Sequence, residues 1–309
     1  MKMRELNYKK MDAFTSEQSL GNPAACIYLE DNEVLSEEAM LEIAKQHKGF
    51  VSEVIYCSKA MQTGFVLRYY SSECEVDFCG HGTIACMYSL IKCNPTLANV
   101  KEIVIHTNKK GSLTVYNRIA DQNAVFITAP LSSFIGTSLT PEEIADNLGL
   151  NTQSISKNYP IDVIDAGLVT LIVPIVSLTE EVSIFPNEKN LKKFCEENKL
   201  DIILIFSTEV KDKKNIAHTR VFAPKFGYLE DPATGSGNSA FGYYMIRNNL
   251  WKGEPISIEQ GGSNIGFNIV KLATDHERIL FGGSAIERIV GKYYISSAES
   301  DTNGKVDKE

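Results

Sequence analysis

Glu53 is an acid inside a run that otherwise reads as a buried strand, Phe50-Val51-Ser52-Glu53-Val54-Ile55. An unpartnered carboxylate in such a place costs roughly several kcal/mol, so Glu53 is either satisfied by backbone donors or faces a cleft and carries protons. Two glycine turns are the other places where chemistry could occur. Asp77-Phe78-Cys79-Gly80-His81-Gly82-Thr83-Ile84-Ala85 and Asp231-Pro232-Ala233-Thr234-Gly235-Ser236-Gly237-Asn238-Ser239-Ala240 share Gly-x-Gly closely after an acid, then Ala and a helix-compatible run. Each predicts a turn that opens a helix, where glycine lets backbone approach a ligand and the first free N–H groups receive a carboxylate or phosphate. Cys79 stands at a helix start, where the dipole favours a thiolate; read blandly, it is a small buried residue. His81 reads as a proton relay or as a capping or core hydrogen bond, and Asp231 as a relay or a turn-forming Asp-Pro. Ser52, Asn22 and Gln260-Gly261-Gly262 are candidates for pocket lining.

The elements that must position these residues come twice. A forward shift of about 152 to 155 positions lays Met11-Asp12-Ala13 on Ile164-Asp165-Ala166 and Arg68-Tyr69-Tyr70 on Arg220-Val221-Phe222. It also lays Gly80-His81-Gly82 on Gly235-Ser236-Gly237. Under this shift Glu53 falls near Ile205, so one copy carries the acid and the other does not. Ser36 caps a helix that stops at Gly49, and Phe50–Cys57 follows as a strand. Thr140-Pro141-Glu142-Glu143 is a capping box opening a short helix to Gly149. The glycine turns lead into apolar helices over about Thr83–Ile91 and Ser239–Asn248. The expected fold is α+β: two quasi-symmetric domains, each a curled, mainly antiparallel sheet around a central apolar helix. Residues 1–130 with 285–298 form the first domain and 131–284 the second, and the polar tail 299–309 is expected to be disordered. The cleft between two such domains is the expected seat of a small ligand.

Composition bounds the function. The 309 residues are 43% hydrophobic, enough for two domains with their own cores. The net charge of −8, with Lys and Arg scattered singly, argues against nucleic acid as a partner. No apolar run reaches the length of a membrane span and the N-terminus lacks a secretory core, so a cytoplasmic location is expected. Seven cysteines without Cys-x-x-Cys spacing suggest neither a disulfide framework nor a zinc site, and no metal is expected.

Gly21-Asn22-Pro23 after Asp12-Ala13-Phe14, then Ser52-Glu53, Cys79-Gly80-His81 and Asp231-Pro232-Ala233-Thr234-Gly235-Ser236, in this order, resemble the phenazine biosynthesis PhzF-like family over about Met11 to Gly291. The resemblance implies the diaminopimelate epimerase-like fold, a homodimer, and an isomerase without metal or organic cofactor. It implies Glu53 as the proton shuttle, His81 and Asp231 as its assistants, and Gly235 and Ser236 as holders of a substrate carboxylate; beside them, the residues themselves make Asn22, Ser52, Gly80 and Gly82 the expected substrate-binding positions. The sequence departs from the family at three points. Gly82 stands where the phenazine enzyme has proline, Val54 where threonine is usual, and Thr234 opposite Cys79 where the related epimerases have a second cysteine. Threonine is too weak an acid to replace a thiol, which speaks against a two-cysteine mechanism. The expected activity is therefore movement of a proton within a small carboxylate by Glu53. The alternatives are a Cys79-based epimerase and a non-catalytic protein that binds small carboxylates on the same fold.

Overall fold

The computed structural model describes residues 3–31, 33–60, 63–262 and 266–296, so the tail expected to be disordered lies outside the described residues. The chain divides into two compact units. Residues 3–13, 23–125 and 284–296 form one; Phe14–Asn22 and Phe126–Gly283 form the other. The sequence placed Phe14–Asn22 in the first domain. It belongs to the second because its backbone is bonded there: the Ile269 N–H donates to the Phe14 carbonyl, the Gly21 N–H to Asn268 Oδ1, and the Ser16 hydroxyl to the Phe267 carbonyl.

In the first unit the strands Met3–Ala13 and Ala285–Ser296 pair antiparallel along their length. The strand Asn22–Tyr28 runs parallel to Val54–Lys59, which pairs antiparallel with Phe65–Tyr70. Phe65–Tyr70 in turn takes the short return strand Glu75–Val76 and, in parallel, Glu102–Thr107, which is closed by Gly111–Arg118. Side chains alternate across these strands. Val54 and Tyr56 face the amphipathic helix Glu37–Gln46 through Met40, Ile43 and Ala44. Ile55, on the other side, meets the helix Gly80–Cys93, whose residues from Gly82 to Ser89 are all buried. That helix packs against three strands, Met3–Ala13, Val54–Lys59 and Ala285–Ser296, as an apolar rod inside a curled sheet.

The second unit has the same order of pairings. Val169–Pro174 runs parallel to Ile202–Ser207, which pairs antiparallel with Ala217–Phe222. Ala217–Phe222 takes the return strand Glu230–Asp231 and, in parallel, Ile256–Gln260, closed by Asn268–Asp275. Its buried helix, Gly235–Arg247, packs on Asp162–Asp165, Val169–Pro174, Ile202–Ser207, Asn268–Asp275 and Arg278–Gly283. The helices Pro141–Leu148 and Glu188–Glu197 cover the outer face, where Leu191 and Phe194 meet Ile203 and Ile205. The capping box at Thr140 forms as the sequence predicts, with Gly149 left-handed at the far end.

Two features differ from the sequence expectation. Both central helices begin earlier than predicted, at Gly80 and Gly235 rather than near Thr83 and Ser239. Glycine is a poor helix former, but here it is required by packing. A Cβ on Gly82 would lie 2.6 Å from Ile55 Cδ1, and one on Gly235 would lie 2.4 Å from the Phe281 ring. Register also corrects the equivalence of Glu53. Tyr56 is opposite Arg68 and Ile205 is opposite Arg220, so Tyr56 matches Ile205 and Glu53 matches Ile202. Ile205 sits on the outer face, whereas Ile202 points toward Gly237 of the central helix. The asymmetry survives the correction, because the equivalent residue is still a buried isoleucine.

Candidate active site

Glu53 does not lie inside a strand. Phe50 and Ser52 are exposed and the strand begins at Val54, with Glu53 as the residue that enters it. Its carbonyl accepts the Ala25 N–H, which fixes the backbone, and the two-residue period puts its side chain on the same face as Ile55. That face is the one the central helix covers, so the carboxylate arrives at the helix N-terminus.

Cys79 caps this helix. Its backbone is extended, its Sγ accepts the Gly82 N–H at 3.3 Å, and its carbonyl accepts both the Thr83 N–H and the Thr83 hydroxyl. Tyr69 OH stands 2.8 Å from the same hydroxyl and braces the turn from the sheet. The sulfur is thus held beside Glu53, with Sγ 3.6 Å from Oε2. His81, in the first turn, closes the group: Nε2 is 3.3 Å from Glu53 Oε2, and its two ring nitrogens lie 3.5 and 3.7 Å from Sγ. Cys79 is 5% exposed, and the Glu53 and His81 side chains keep 19% and 13% of their surface, so the group is reachable from outside through its two ionisable ends.

Burial pushes the Cys79 thiol up and the Glu53 charge adds to this, against the pull of His81 and the Gly82 N–H. Burial works against charge on His81, but the Cys79 sulfur and the Glu53 carboxylate outweigh it and hold the imidazole well above its ordinary range. Cys79 Sγ donates to Glu53 Oε2, and His81 Nε2 stands within reach of the same oxygen. Such a group can pass a proton among three atoms without moving the backbone.

The second glycine turn is built differently. Thr234 occupies the capping position but makes no cap bond; its hydroxyl donates to Asp231 Oδ2. Asn22 Nδ2 donates to Asp231 Oδ1 at 2.7 Å and to the Ala233 carbonyl at 2.9 Å. Gln260, fully buried, accepts the Thr234 N–H and an Asn238 N–H at its amide oxygen, and donates to the Asp231 carbonyl and the Thr234 hydroxyl. Gln260 is therefore a brace of the turn rather than pocket lining. Gly261, at φ +117°, donates its N–H to the Thr219 carbonyl. Among the described residues Asn22 Oδ1 is buried without a hydrogen-bond partner.

The structure thus joins Glu53, Cys79 and His81 in one unit, and Asn22, Asp231 and Gln260 in the other. Gly80 and the half-buried Ser236 stand in the first turns of the two central helices, and Ser52 is exposed. The sequence reading missed a buried pair in the second unit. Glu181 Oε1 lies 3.0 Å from His218 Nδ1, with both side chains wholly inaccessible. The two adjacent acids Glu180-Glu181 and the lone His218 in an apolar strand were the available signals, but nothing in the sequence says which glutamate turns inward.

Two helix-centred α+β units of one topology, with an acid–thiol–imidazole group at one helix start, are features of an epimerase-like isomerase. The sequence profile of the phenazine biosynthesis-like proteins (PhzC-PhzF) matches residues 11–289, and the chain belongs to that family. It is 29% identical to an uncharacterized isomerase of Bacillus subtilis over 84% of this chain and 87% of that protein. A PhzF-family phenazine biosynthesis protein of Bacillus anthracis superposes with a TM-score of 0.81 at 25% identity, over 95% of this chain and 99% of that one. A Pseudomonas aeruginosa protein described as a predicted epimerase shares the fold, with a TM-score of 0.71 at 18% identity over 94% and 100%. The protein is an enzyme of the isomerase class. No described helix is long and apolar enough to cross a membrane.

Proposed function

We propose that the protein is a PhzF-like isomerase that moves a proton within a small carboxylate-bearing substrate, with Glu53 as the general acid and base. The observation that carries this reading is the 3.3 Å approach of His81 Nε2 to Glu53 Oε2 at the mouth of a helix N-terminus. Glu53 takes a proton from a carbon next to a π system. The electron pair moves into that system, and Glu53, whose carboxyl proton exchanges with solvent, delivers a proton to its far end, so the substrate's formula is unchanged. His81 orients the carboxylate and Cys79 stays a thiol donor. Developing negative charge on the substrate is met by the N–H groups of the helix starts at Gly80 and at Gly235-Ser236. Asp231, steadied by Asn22 and Thr234, is the second proton relay of the proposal, and the buried Asn22 Oδ1 is an acceptor for a substrate N–H or O–H. A substrate seat between the domains, a homodimer and a cytoplasmic location belong to the same proposal.

The test is hydrogen exchange. The enzyme is incubated in deuterated water with small hydroxy, amino and cyclohexadiene carboxylates, and carbon-bound deuterium is followed by NMR. Exchange should vanish in Glu53→Gln and persist in Cys79→Ser. Undiminished exchange in Glu53→Gln defeats the proposal, and loss confined to Cys79→Ser moves the chemistry to the thiol.

A further inference from the structure

The cap carbonyls of the two central helices are bonded alike by unlike residues. Thr83 donates its N–H to the Cys79 carbonyl at 3.0 Å and its hydroxyl at 2.7 Å. Asn238 donates its N–H to the Thr234 carbonyl at 3.2 Å and its Nδ2 at 2.9 Å. Both side chains are fully buried in apolar helices, where a polar group costs free energy unless it is bonded. Behind each stands a further group from the sheet: Tyr69 OH, 2.8 Å from the Thr83 hydroxyl, and Gln260 Oε1, 2.6 Å from Asn238 Nδ2. Different side chains converge on the same bond, so what both helix starts maintain is a fixed cap carbonyl and not a residue type.

The braces themselves differ. Gln260 reaches Thr234 at its N–H, at its hydroxyl and, through Asn238, at its carbonyl. In the first unit Thr107, opposite Leu67, takes the place that Gln260 has opposite Thr219, and its hydroxyl is spent on its own hairpin, at the Gly111 carbonyl and the Lys110 N–H. Cys79 is held instead by a chain in which Thr83 donates to its carbonyl and Tyr69 donates to Thr83. The direction is set, because the Thr83 hydrogen goes to the carbonyl. Burial pushes the Tyr69 phenol well above its ordinary range, which keeps it a donor. The Tyr69 ring also meets the Phe78 ring edge-on, with 5.7 Å between centroids, and so steadies the residue before the cap. The sheet does not ask for this phenol, since the equivalent position is Val221. Its hydroxyl occurs in the unit that carries Glu53.

We propose that Tyr69 and Thr83 are positioning residues of the proton-transfer site: by fixing the Cys79 carbonyl they hold the thiol, and through it the His81 ring, against the Glu53 carboxylate. The sulfur is the rest on which the ring sits, 3.5 and 3.7 Å from its two nitrogens and 3.6 Å from Glu53 Oε2. A backbone rotation at Cys79 therefore draws the thiol away from both neighbours at once. Tyr69 and Thr83 are 1% and 0% exposed, so neither is placed to touch substrate. The consequence for turnover rests on the isomerase reading above; the effect on His81 stands on the hydrogen-bond chain alone.

The test changes single hydroxyls in the full chain. Tyr69→Phe and Thr83→Val break the hydrogen-bond chain and Thr83→Ser keeps it, while Tyr56→Phe removes another buried hydroxyl of the same sheet, bonded to the Met40 carbonyl on the other face. Circular dichroism establishes that each variant is folded. The imidazole titrations are followed by NMR, with the His81 signal identified by its loss in His81→Ala. In the parent, against the effect of burial, the Cys79 sulfur and Glu53 hold the His81 midpoint well above its ordinary range. The midpoint should fall toward that range in Tyr69→Phe and Thr83→Val and stay at the parent value in Thr83→Ser and Tyr56→Phe. In deuterium exchange the two chain-breaking variants should lose about tenfold or more in kcat with KM unchanged, since a misplacement of about 1 Å costs about 100-fold. A parent-like His81 midpoint in folded Tyr69→Phe overturns the proposal, and so does an equal fall in Tyr56→Phe; Tyr69→Phe keeps the test informative should Thr83→Val not fold. Absence of deuterium exchange with every carboxylate tried would defeat the isomerase reading and leave the His81 titration to decide the positioning, so the two proposals fail separately.

Discussion

Thr234 turns its hydroxyl onto the Asp231 carboxylate, at the capping position that Cys79 holds in the other unit. The pairings Tyr69–Val76 and Val221–Asp231 make Asp231 the counterpart of Val76, an apolar residue. Each helix start therefore carries one ionisable acid of its own, brought from a different place: Glu53 from the neighbouring strand in the first, Asp231 from the return strand in the second. A symmetrical pair of thiols is not what this sequence builds.

Thr234→Val keeps the shape and removes the hydroxyl. Asp231 Oδ2 loses a donor and Gln260 Nε2 loses one of its two acceptors, in a turn that is mostly buried. The expected cost is about 1–3 kcal/mol, read by urea unfolding, because the partners are left behind rather than removed. A loss indistinguishable from zero would mean that water replaces the hydroxyl and that the Asp231 position does not depend on Thr234.

The matched arginines give a second comparison. Arg68 grips Glu75 and Arg220 grips Glu230, each through Nε and a terminal nitrogen, at corresponding sites in the two sheets. Their surroundings differ. The Arg220 side chain is 1% exposed and also donates to the carbonyls of Glu181 and Ile184, whereas the Arg68 side chain is 19% exposed and its further partner, Glu37, is at the surface. Arg220→Ala should cost about 3–5 kcal/mol, since it strands a carboxylate and two buried carbonyls. Arg68→Ala should cost about 1 kcal/mol or less. Equal midpoint shifts in chemical denaturation would contradict the burial argument.

Much of this was legible from residue types. Ser36 and Thr140 cap helices where the capping rules put them, and the order of glycine turns and repeated segments pointed to two similar halves. The failures have physical causes. Glycine's low helix propensity delayed both predicted helix starts, whereas contact with Ile55 and Phe281 fixes the real ones. A thiol is not among the usual capping groups, so Cys79 read as a residue beside the helix start and not as its cap. A shift that is constant along the sequence ignores small insertions, and three residues of slip moved the counterpart of Glu53 to the wrong face of the sheet. That Glu53, Cys79 and His81 meet could be guessed only from the family resemblance, because no local pattern places a strand entry against a helix cap.

Glu181 and His218 supply a pH-dependent term away from the proposed chemistry. Both are inaccessible, Glu181 Oε1 is 3.0 Å from His218 Nδ1, and the group is faced by Arg220, which also pairs with Glu230, and by the ring of Phe267. Burial pushes the Glu181 carboxyl up to about 7, against the opposing pull of His218 and Arg220. The folded state therefore holds a proton that the unfolded chain releases in the ordinary carboxylate range. Stability contributed by this proton is complete below that range and declines as pH rises toward about 7, by about 1.4 kcal/mol per pH unit within the window. Glu181→Gln carries no such proton. The difference in unfolding free energy between the parent and this variant should shift in favour of Glu181→Gln as pH rises from about 5 to about 7, and level off above. A difference that is flat across that interval would show that the fold holds no extra proton on account of Glu181.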